Sequence, residues 1–398
     1  HDPEHVSGAR ALVVTSAMPK DHPEITRAHE LDIPVVRRAE ALGEVTAGRE
    51  LVGIAGTHGK TTTTVMTATA LAAAGRDPTA LAGGRVSAWG GNLLGGGDVL
   101  YVVEADEYDR SFLALDPTVA VVNNIEADHL DIYTDLADIT RAFGQFVRGA
   151  RTVVLCADDA VANALGTPNT AEVIRFGIDS PDARVVASDL ALTPAGSSFR
   201  VVFDGADLGK VTLKIPGHHN VLNALAALSS GLALGAEVSA MARGLESYDG
   251  VERRFQWLGE MRGVVVVDDY AHNPGKVAAA VATARIAYPG RRLVVAFQPH
   301  LYTRTRDFAA EFGASLASAD VVLLTDIYPA REPAISGVTA ELVGDAVIAA
   351  GGTLSWLGPR TGLADALATR VRPGDVVLTV GAGDITKTGP ELLDRLGM

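Results

Sequence analysis

The chain has 398 residues, 47% hydrophobic and 21% charged, enough for two or three domains with buried cores. Its 34 basic and 48 acidic residues leave a formal charge of −14, which argues against nucleic acid as a partner. Any anionic substrate must therefore be gripped by local cations and backbone N–H groups. No run reaches the roughly 18 uninterrupted apolar residues of a membrane span, so no membrane insertion is expected. The single cysteine, Cys156, excludes an internal disulfide framework and a cysteine-rich zinc site, and suits a reducing cytoplasm.

Short β-branched runs alternate with alanine-rich helical stretches, the pattern of parallel α/β sheets. The first 48 residues read as half a domain: a strand at 11–14, a helix at 23–30 and a short strand at 34–36. A second stretch, 49–248, opens with the strand Leu51-Val52-Gly53-Ile54-Ala55 and a helix from Lys60 that Gly75 stops. Strands are predicted at 99–103, 119–122 and 152–155, where Cys156 closes the apolar run as a small core residue. From Arg184 to Ile215 the alternation Val211, Leu213, Ile215 predicts a small antiparallel sheet with one wet face. A buried helix follows from His219, and a boundary falls near Tyr248-Asp249-Gly250. Residues 249–398 then start a new α/β series, with strands at 264–267, 293–297, 321–324 and 376–380.

The segment Gly56-Thr57-His58-Gly59-Lys60-Thr61-Thr62 sits between a strand and a helix, the setting of a phosphate loop. Glycines let backbone N–H groups approach phosphates, and the helix N-terminus adds partial positive charge. Lys60 would neutralise a transferring phosphoryl group, and the Thr61 hydroxyl would ligate Mg²⁺. Where the general Walker spacing expects its first glycine the chain has Ile54, so the loop is a shortened variant. Alone, it implies only a protein that uses ATP or GTP.

Further polar clusters follow predicted strand ends, where parallel sheets collect ligand-binding groups. They are Glu104-Ala105-Asp106-Glu107, then Asn123-Asn124-Ile125-Glu126-Ala127-Asp128-His129, then Asp268-Asp269-Tyr270-Ala271-His272 and Gln298-Pro299-His300-Leu301-Tyr302-Thr303-Arg304. A carboxylate such as Glu104 suits a hard cation. The helix opening His218-His219-Asn220-Val221-Leu222-Asn223 offers two amides, readable as a cap and a core polar or as ligand contacts. Arg253-Arg254 reads as a solvated pair or as a phosphate contact. Gly381-Ala382-Gly383-Asp384 is a lining loop or a turn.

The phosphate loop, the Glu-Ala-Asp-Glu run and these later motifs together resemble the Mur ligase family, over nearly the whole chain. The likeness is strongest to members that attach L-alanine to UDP-N-acetylmuramate. It implies an ATP-dependent, Mg²⁺-requiring ligase of peptidoglycan precursor synthesis with three domains. These would be an incomplete N-terminal Rossmann-like domain for the UDP substrate (1–48), a central ATPase domain (49–248) and a C-terminal Rossmann-like domain for the amino acid (249–398). Catalysis would then need hinge closure near Asp249-Gly250.

The resemblance implies ATP contacts from Gly56, Thr57, His58, Gly59, Lys60, Thr61, Thr62, Asn220, Asn223, Arg254 and Asp269. It implies metal ligation by Thr61, Glu104 and His129, and catalytic roles for Lys60, Glu104, His129, Arg254 and His272. Tyr270, His272, His300 and Arg304 would face the amino acid. Some members carry arginine where this chain has Leu301, which shifts carboxylate binding towards Arg304. Several relatives in the superfamily carry a carbamylated lysine in the central domain, and no lysine lies between Lys60 and Lys210 here.

Two rival readings share the phosphate loop: a ligase that recycles a muramyl tripeptide, and a truncated nucleotide-binding homologue without catalysis. The chain opens on His1, and residues 1–48 hold only Gly8, Gly43 and Gly48. Ser16-Ala17-Met18 and Pro23-Glu24 match the later half of the family's first domain. The expectation is a fragment that lacks an upstream glycine loop and binds the UDP moiety poorly. No oligomeric state is implied by the pattern.

Overall fold

The computed structural model describes residues 2–15, 18–19, 21–128, 132–193, 196–330 and 332–397; Ser16, Ala17 and His129, which carry sequence-based expectations, lie outside them. The chain packs as two compact units, His1–Leu192 with Gly196–Asp249, and Thr193–Ala195 with Gly250–Met398. Among the described residues no helix is long and apolar enough to cross a membrane.

In the first unit, strands β1 (Leu12–Val14) and β2 (Val35–Arg37) pair in parallel around the helix Pro23–Glu30. The remaining strands are β3 (Glu50–Ala55), β4 (Thr79–Val86), β5 (Gly91–Leu94), β6 (Leu100–Glu104), β7 (Val119–Val122), β8 (Thr152–Cys156), β9 (Glu172–Gly177), β10 (Val185–Thr193), β11 (Gly196–Phe203) and β12 (Ala206–Leu213). They form one ten-stranded sheet in the order β12-β11-β10-β9-β8-β7-β3-β6-β4-β5. The antiparallel β11–β12 ladder expected after Arg184 extends this sheet through β10, which pairs in parallel with β9. Parallel β3 lies between β6 and β7, so the chain leaves its C-terminal end at a topological switch point, where open α/β sheets form a crevice.

This sheet carries an aromatic-rich core on one face. There, Leu51, Ala55, Val103, Ala120 and Val122 pack against Phe112, Phe143 and Phe146, with Phe112 edge-on to Phe143 at 5.2 Å and stacked on Phe146 at 5.1 Å. Cys156 is buried and free, and burial pushes its thiol up to about 11. On the phosphate-loop helix Lys60–Ala73, small residues allow close helix contact: a Cβ at Gly244 would lie 2.8 Å from both Thr69 O and Ala73 Cβ.

The second unit has strands β13 (Gln256–Met261), β14 (Val264–Asp269), β15 (Leu293–Phe297), β16 (Val321–Thr325), β17 (Leu354–Gly358) and β18 (Val376–Val380). Their order is β13-β14-β18-β15-β16-β17, parallel except for the edge pair β13–β14. Alternation along each strand splits two cores. Val265, Val267, Val295 and Phe297 face Phe312 and Val343, while Val264, Val266, Val294 and Ala296 face Leu363, Leu367 and Leu392. Helices therefore cover both faces, and the strands read as unbroken apolar runs.

Gly244→Ala should lower stability by about 1–3 kcal/mol through overpacking against the phosphate-loop helix. Denaturant titration measures it, and an unchanged midpoint would contradict so close a contact.

Candidate active site

Gly56 and Gly59 adopt φ of 140° and 79°, a region open to glycine at little cost. They also have no room for a side chain. A Cβ on Gly56 would sit 3.0 Å from Asn123 Cβ, and one on Gly59 would sit 2.5 Å from Asn223 Oδ1. Gly59 caps the helix Lys60–Ala73, and Thr63 N–H donates to Gly59 O at 2.9 Å. The N–H groups of Lys60, Thr61 and Thr62 precede that bond and point off the helix end, an arrangement suited to phosphate.

The segment after β7 clamps the loop from the side. Thr57 N–H donates to Asn124 O at 3.1 Å, and His58 N–H donates to Asn124 Oδ1 at 2.7 Å. Glu126 N–H donates to Thr57 Oγ1 at 2.9 Å. The Glu126 carboxylate meets His58 Nε2 at 3.2 Å, and that hydrogen bond holds it below the usual glutamate range. Beneath the loop runs a buried polar chain: Asn123 Nδ2 donates to Thr63 Oγ1 at 2.9 Å, and Thr63 Oγ1 donates to Asn223 Oδ1 at 3.0 Å. Asn223 Nδ2 reaches Asn220 Oδ1 at 3.4 Å, and Asn220 Nδ2 donates to Pro216 O at 2.7 Å. Both amides expected to contact ATP are thus engaged by protein groups, and Asn220 and Asn223 are buried.

Lys60 Nζ donates to Gly56 O at 2.8 Å and to Glu107 Oε2 at 2.6 Å, with Asp106 Oδ1 at 3.8 Å. Burial pulls the Lys60 ammonium down, but Glu107, Asp106 and Glu104 more than offset it, so the group stays charged above its ordinary range. Glu104 ends β6 and accepts from Gly83 N–H at 2.6 Å. Thr61 is buried in the first helical turn, and Thr62 is half-buried beside it. Glu107, buried and the strongest partner of Lys60, was visible in sequence only as part of an acidic run.

In the second unit four strand ends meet. Asp269, at the end of β14, accepts from Phe255 N–H and Ala271 N–H, both at 2.8 Å. Burial raises its carboxyl, while Arg254 and those two donors pull it back. The adjacent arginines separate in role. Arg253 pairs with buried Asp268 at 3.2 Å, donates to Gly381 O and lies over the Tyr270 ring at 4.8 Å. Arg254 lies over the same ring at 5.6 Å and forms no ion pair among the described residues.

Tyr270, His272, His300 and Tyr328 form a row of rings. Tyr270 meets His272 edge-on at 5.2 Å, His272 meets His300 at 6.0 Å, and His300 stacks on Tyr328 at 5.8 Å. Arg304 Nη1 donates to His272 O at 3.3 Å. Tyr328, missed in the sequence, follows β16, and the strand-end rule that found the other clusters could have found it. Leu301 takes φ of 72° because its N–H donates to Tyr328 O at 3.0 Å while Tyr328 N–H donates to Pro299 O at 2.8 Å. The Gly381–Asp384 loop proves to line this cluster: a Cβ on Gly383 would lie 2.6 Å from Tyr328 Cγ, and Gln298 Nε2 donates to Asp384 Oδ1 at 3.0 Å.

Family models match over almost all of the chain: the Mur ligase family catalytic domain at residues 1–50, the Mur ligase middle domain at 54–231 and the Mur ligase glutamate ligase domain at 253–383. The UDP-N-acetylmuramate–L-alanine ligase of Cutibacterium acnes is 46% identical, the match covering 100% of this chain and 85% of the relative. The chain belongs to the Mur ligase family. The ligase of the same name from Oleidesulfovibrio alaskensis is 44% identical over 99% of this chain and 87% of its own length. Among solved structures, the UDP-N-acetylmuramate–alanine ligase MurC of Thermotoga maritima superposes with a TM-score of 0.82 at 28% identity, covering 98% of this chain and 85% of that one. ATP is accordingly the nucleotide of this Mur ligase.

His272 is driven down to about 3, chiefly by burial, with Arg304, Lys276 and His300 adding to the effect. The unfolded chain therefore takes up this proton first, and stability should fall as pH drops from the ordinary 6.5 towards 3. His272→Gln should flatten that part of the stability–pH curve in denaturant titrations. An unchanged slope would show that His272 does not titrate as a buried neutral ring.

Proposed function

We propose that this Mur ligase joins the carboxylate of UDP-N-acetylmuramate to L-alanine, hydrolysing ATP, as a cytoplasmic step of peptidoglycan precursor synthesis. The reading is carried by the full-length likeness to ligases of that name, 42–46% identical. Residues 1–48 belong to the sugar-nucleotide part, 49–248 to the ATP part and 249–398 to the amino-acid part.

Amide formation from a carboxylate and an amine in water is uphill. The carboxylate first takes the γ-phosphoryl group of ATP, giving an acyl phosphate and ADP. The amine then attacks the acyl carbon, and phosphate leaves from the tetrahedral intermediate. Two anions must meet in the first step, so countercharge dominates catalysis. Lys60 and the first-turn N–H groups supply it from the loop, and the resemblance assigns Arg254, whose charge also acts on Asp269, to the same phosphates. Glu104 and the Thr61 hydroxyl are hard oxygen donors beside Lys60, a chemistry that fits Mg²⁺. The family pattern adds His129, and the ion when bound would supply charge stabilisation to the phosphates. Among the described residues no group of three acidic, histidine or cysteine side chains is arranged to hold a metal, so nucleotide oxygens would complete the shell.

The bonding of Asn220 and Asn223 favours a supporting role beneath the loop over the direct ATP contact that the resemblance implied. Asp269 is assigned to the ATP ribose. Tyr270, His272, His300 and Arg304 are assigned to the amino acid, with the neutral rings of His272 and His300 lining the site and the Arg304 guanidinium facing its carboxylate.

Phosphate release with ATP, Mg²⁺ and UDP-N-acetylmuramate should depend on L-alanine in a panel that also holds glycine, L-serine and a tripeptide. Release with tripeptide alone would replace this reading with the recycling reaction. Lys60→Ala should lose at least about a hundredfold in turnover, about 2.7 kcal/mol of barrier, while its circular dichroism stays native. Near-normal turnover would remove Lys60 from the mechanism.

A further inference from the structure

We propose that Glu107 makes the phosphate loop discriminate against nucleotide that carries no divalent cation. The Lys60 ammonium, 11% exposed, is bound to the Glu107 carboxylate, 3% exposed, at 2.6 Å. Asp106 lies 3.8 Å from the same nitrogen, and Glu104 adds a third carboxylate acting on it. One cation among three carboxylates leaves this cluster two charges negative, beside helix N–H groups that contribute only about half a positive charge.

An entering polyphosphate therefore meets a lysine already engaged and a negative surround. Unescorted, it is repelled at close range by the Glu107 carboxylate, whose enclosure leaves little water to screen it. A divalent cation on the nucleotide cancels the repulsion and lets Lys60 exchange its carboxylate for phosphate oxygen. Glu107 is held for this task through its backbone and by burial of its side chain. Its backbone carbonyl accepts from the buried Tyr133 hydroxyl at 2.6 Å, and its side chain is enclosed while Asp106 stays exposed. Glu107 acts on the nucleotide through Lys60, so it is a positioning residue.

The proposal rests on the assignment of Lys60 to the phosphates, and one titration separates the two. Binding of ATP to the whole chain is measured by calorimetry, once with excess EDTA and once with Mg²⁺, for the parent, Glu107→Gln and Lys60→Ala. Glu107→Gln keeps the shape and an acceptor for Lys60 but removes the charge. The expected result is a gain of about tenfold or more in affinity for metal-free ATP, with a smaller change for the Mg²⁺-loaded form. Metal-free affinity within about twofold of the parent, or equal changes in both forms, would overturn the proposal. Full binding by Lys60→Ala would instead overturn the assignment of Lys60. If Glu107→Gln does not fold, the smaller uncharged Glu107→Ser removes the same charge and carries the same test. A gain confined to metal-free ATP supports the proposal, and no gain overturns it.

Discussion

A helix can offer its first-turn N–H groups to an anion only if the chain turns sharply off the preceding strand, and in the first unit that turn depends on Gly59. Its φ of 79° aims the helix Lys60–Ala73, and the lack of a side chain lets Asn223 approach from below. Much of the surrounding structure keeps that turn in place. Asn124 bonds the loop backbone at Thr57 and His58, and Asn123, Thr63, Asn223 and Asn220 tie β7, the loop helix and the helix His218–Ala233 together. Buried polar groups cost free energy unless hydrogen-bonded, so such a chain specifies one arrangement among its helices. Gly53 serves the same end on the opposite face, where a Cβ would press on Phe146 at 3.0 Å.

Two buried charge pairs show the same logic in the two units. Lys60 with Glu107 and Arg253 with Asp268 each join a cation to an inaccessible carboxylate. Such pairs contribute little net stability, because desolvation offsets their attraction. What they do is orient. Arg253 is fixed by Asp268 and by the carbonyl of Gly381, while its neighbour Arg254 lies over Tyr270, where its charge acts on Asp269. Thr379 and Thr386 complete the bonding of Asp268, at 2.5 and 3.1 Å.

The second unit's cluster is a product of parallel topology. Strands β14, β18, β15 and β16 are neighbours and run the same way, so four segments far apart in sequence end at one edge. The row Tyr270, His272, His300 and Tyr328 draws on three of them, and Gly383 on the fourth leaves room for the Tyr328 ring. Burial then keeps both histidines neutral, because an imidazolium there would lose its hydration.

Local chemistry in the sequence was enough to determine the glycine turn between β3 and its helix, the strand cores at 264–267 and 293–297, and the gathering of acids and histidines after strands. Each depends on neighbours along the chain: glycines at a strand–helix junction, apolar runs for strands buried on both faces, polar residues where a strand stops. The antiparallel stretch after Arg184 was legible as well, though its continuity with the main sheet was not, because pairing across β9 and β10 has no local signature. Only the tertiary structure decided that Glu107 rather than Asp106 holds Lys60, that Arg253 is tied down while Arg254 is not, and that Tyr328 stands against His300. Those choices follow from which side chain a packed neighbour excludes from water. Residues tens of positions apart set that exclusion, and no local pattern records it.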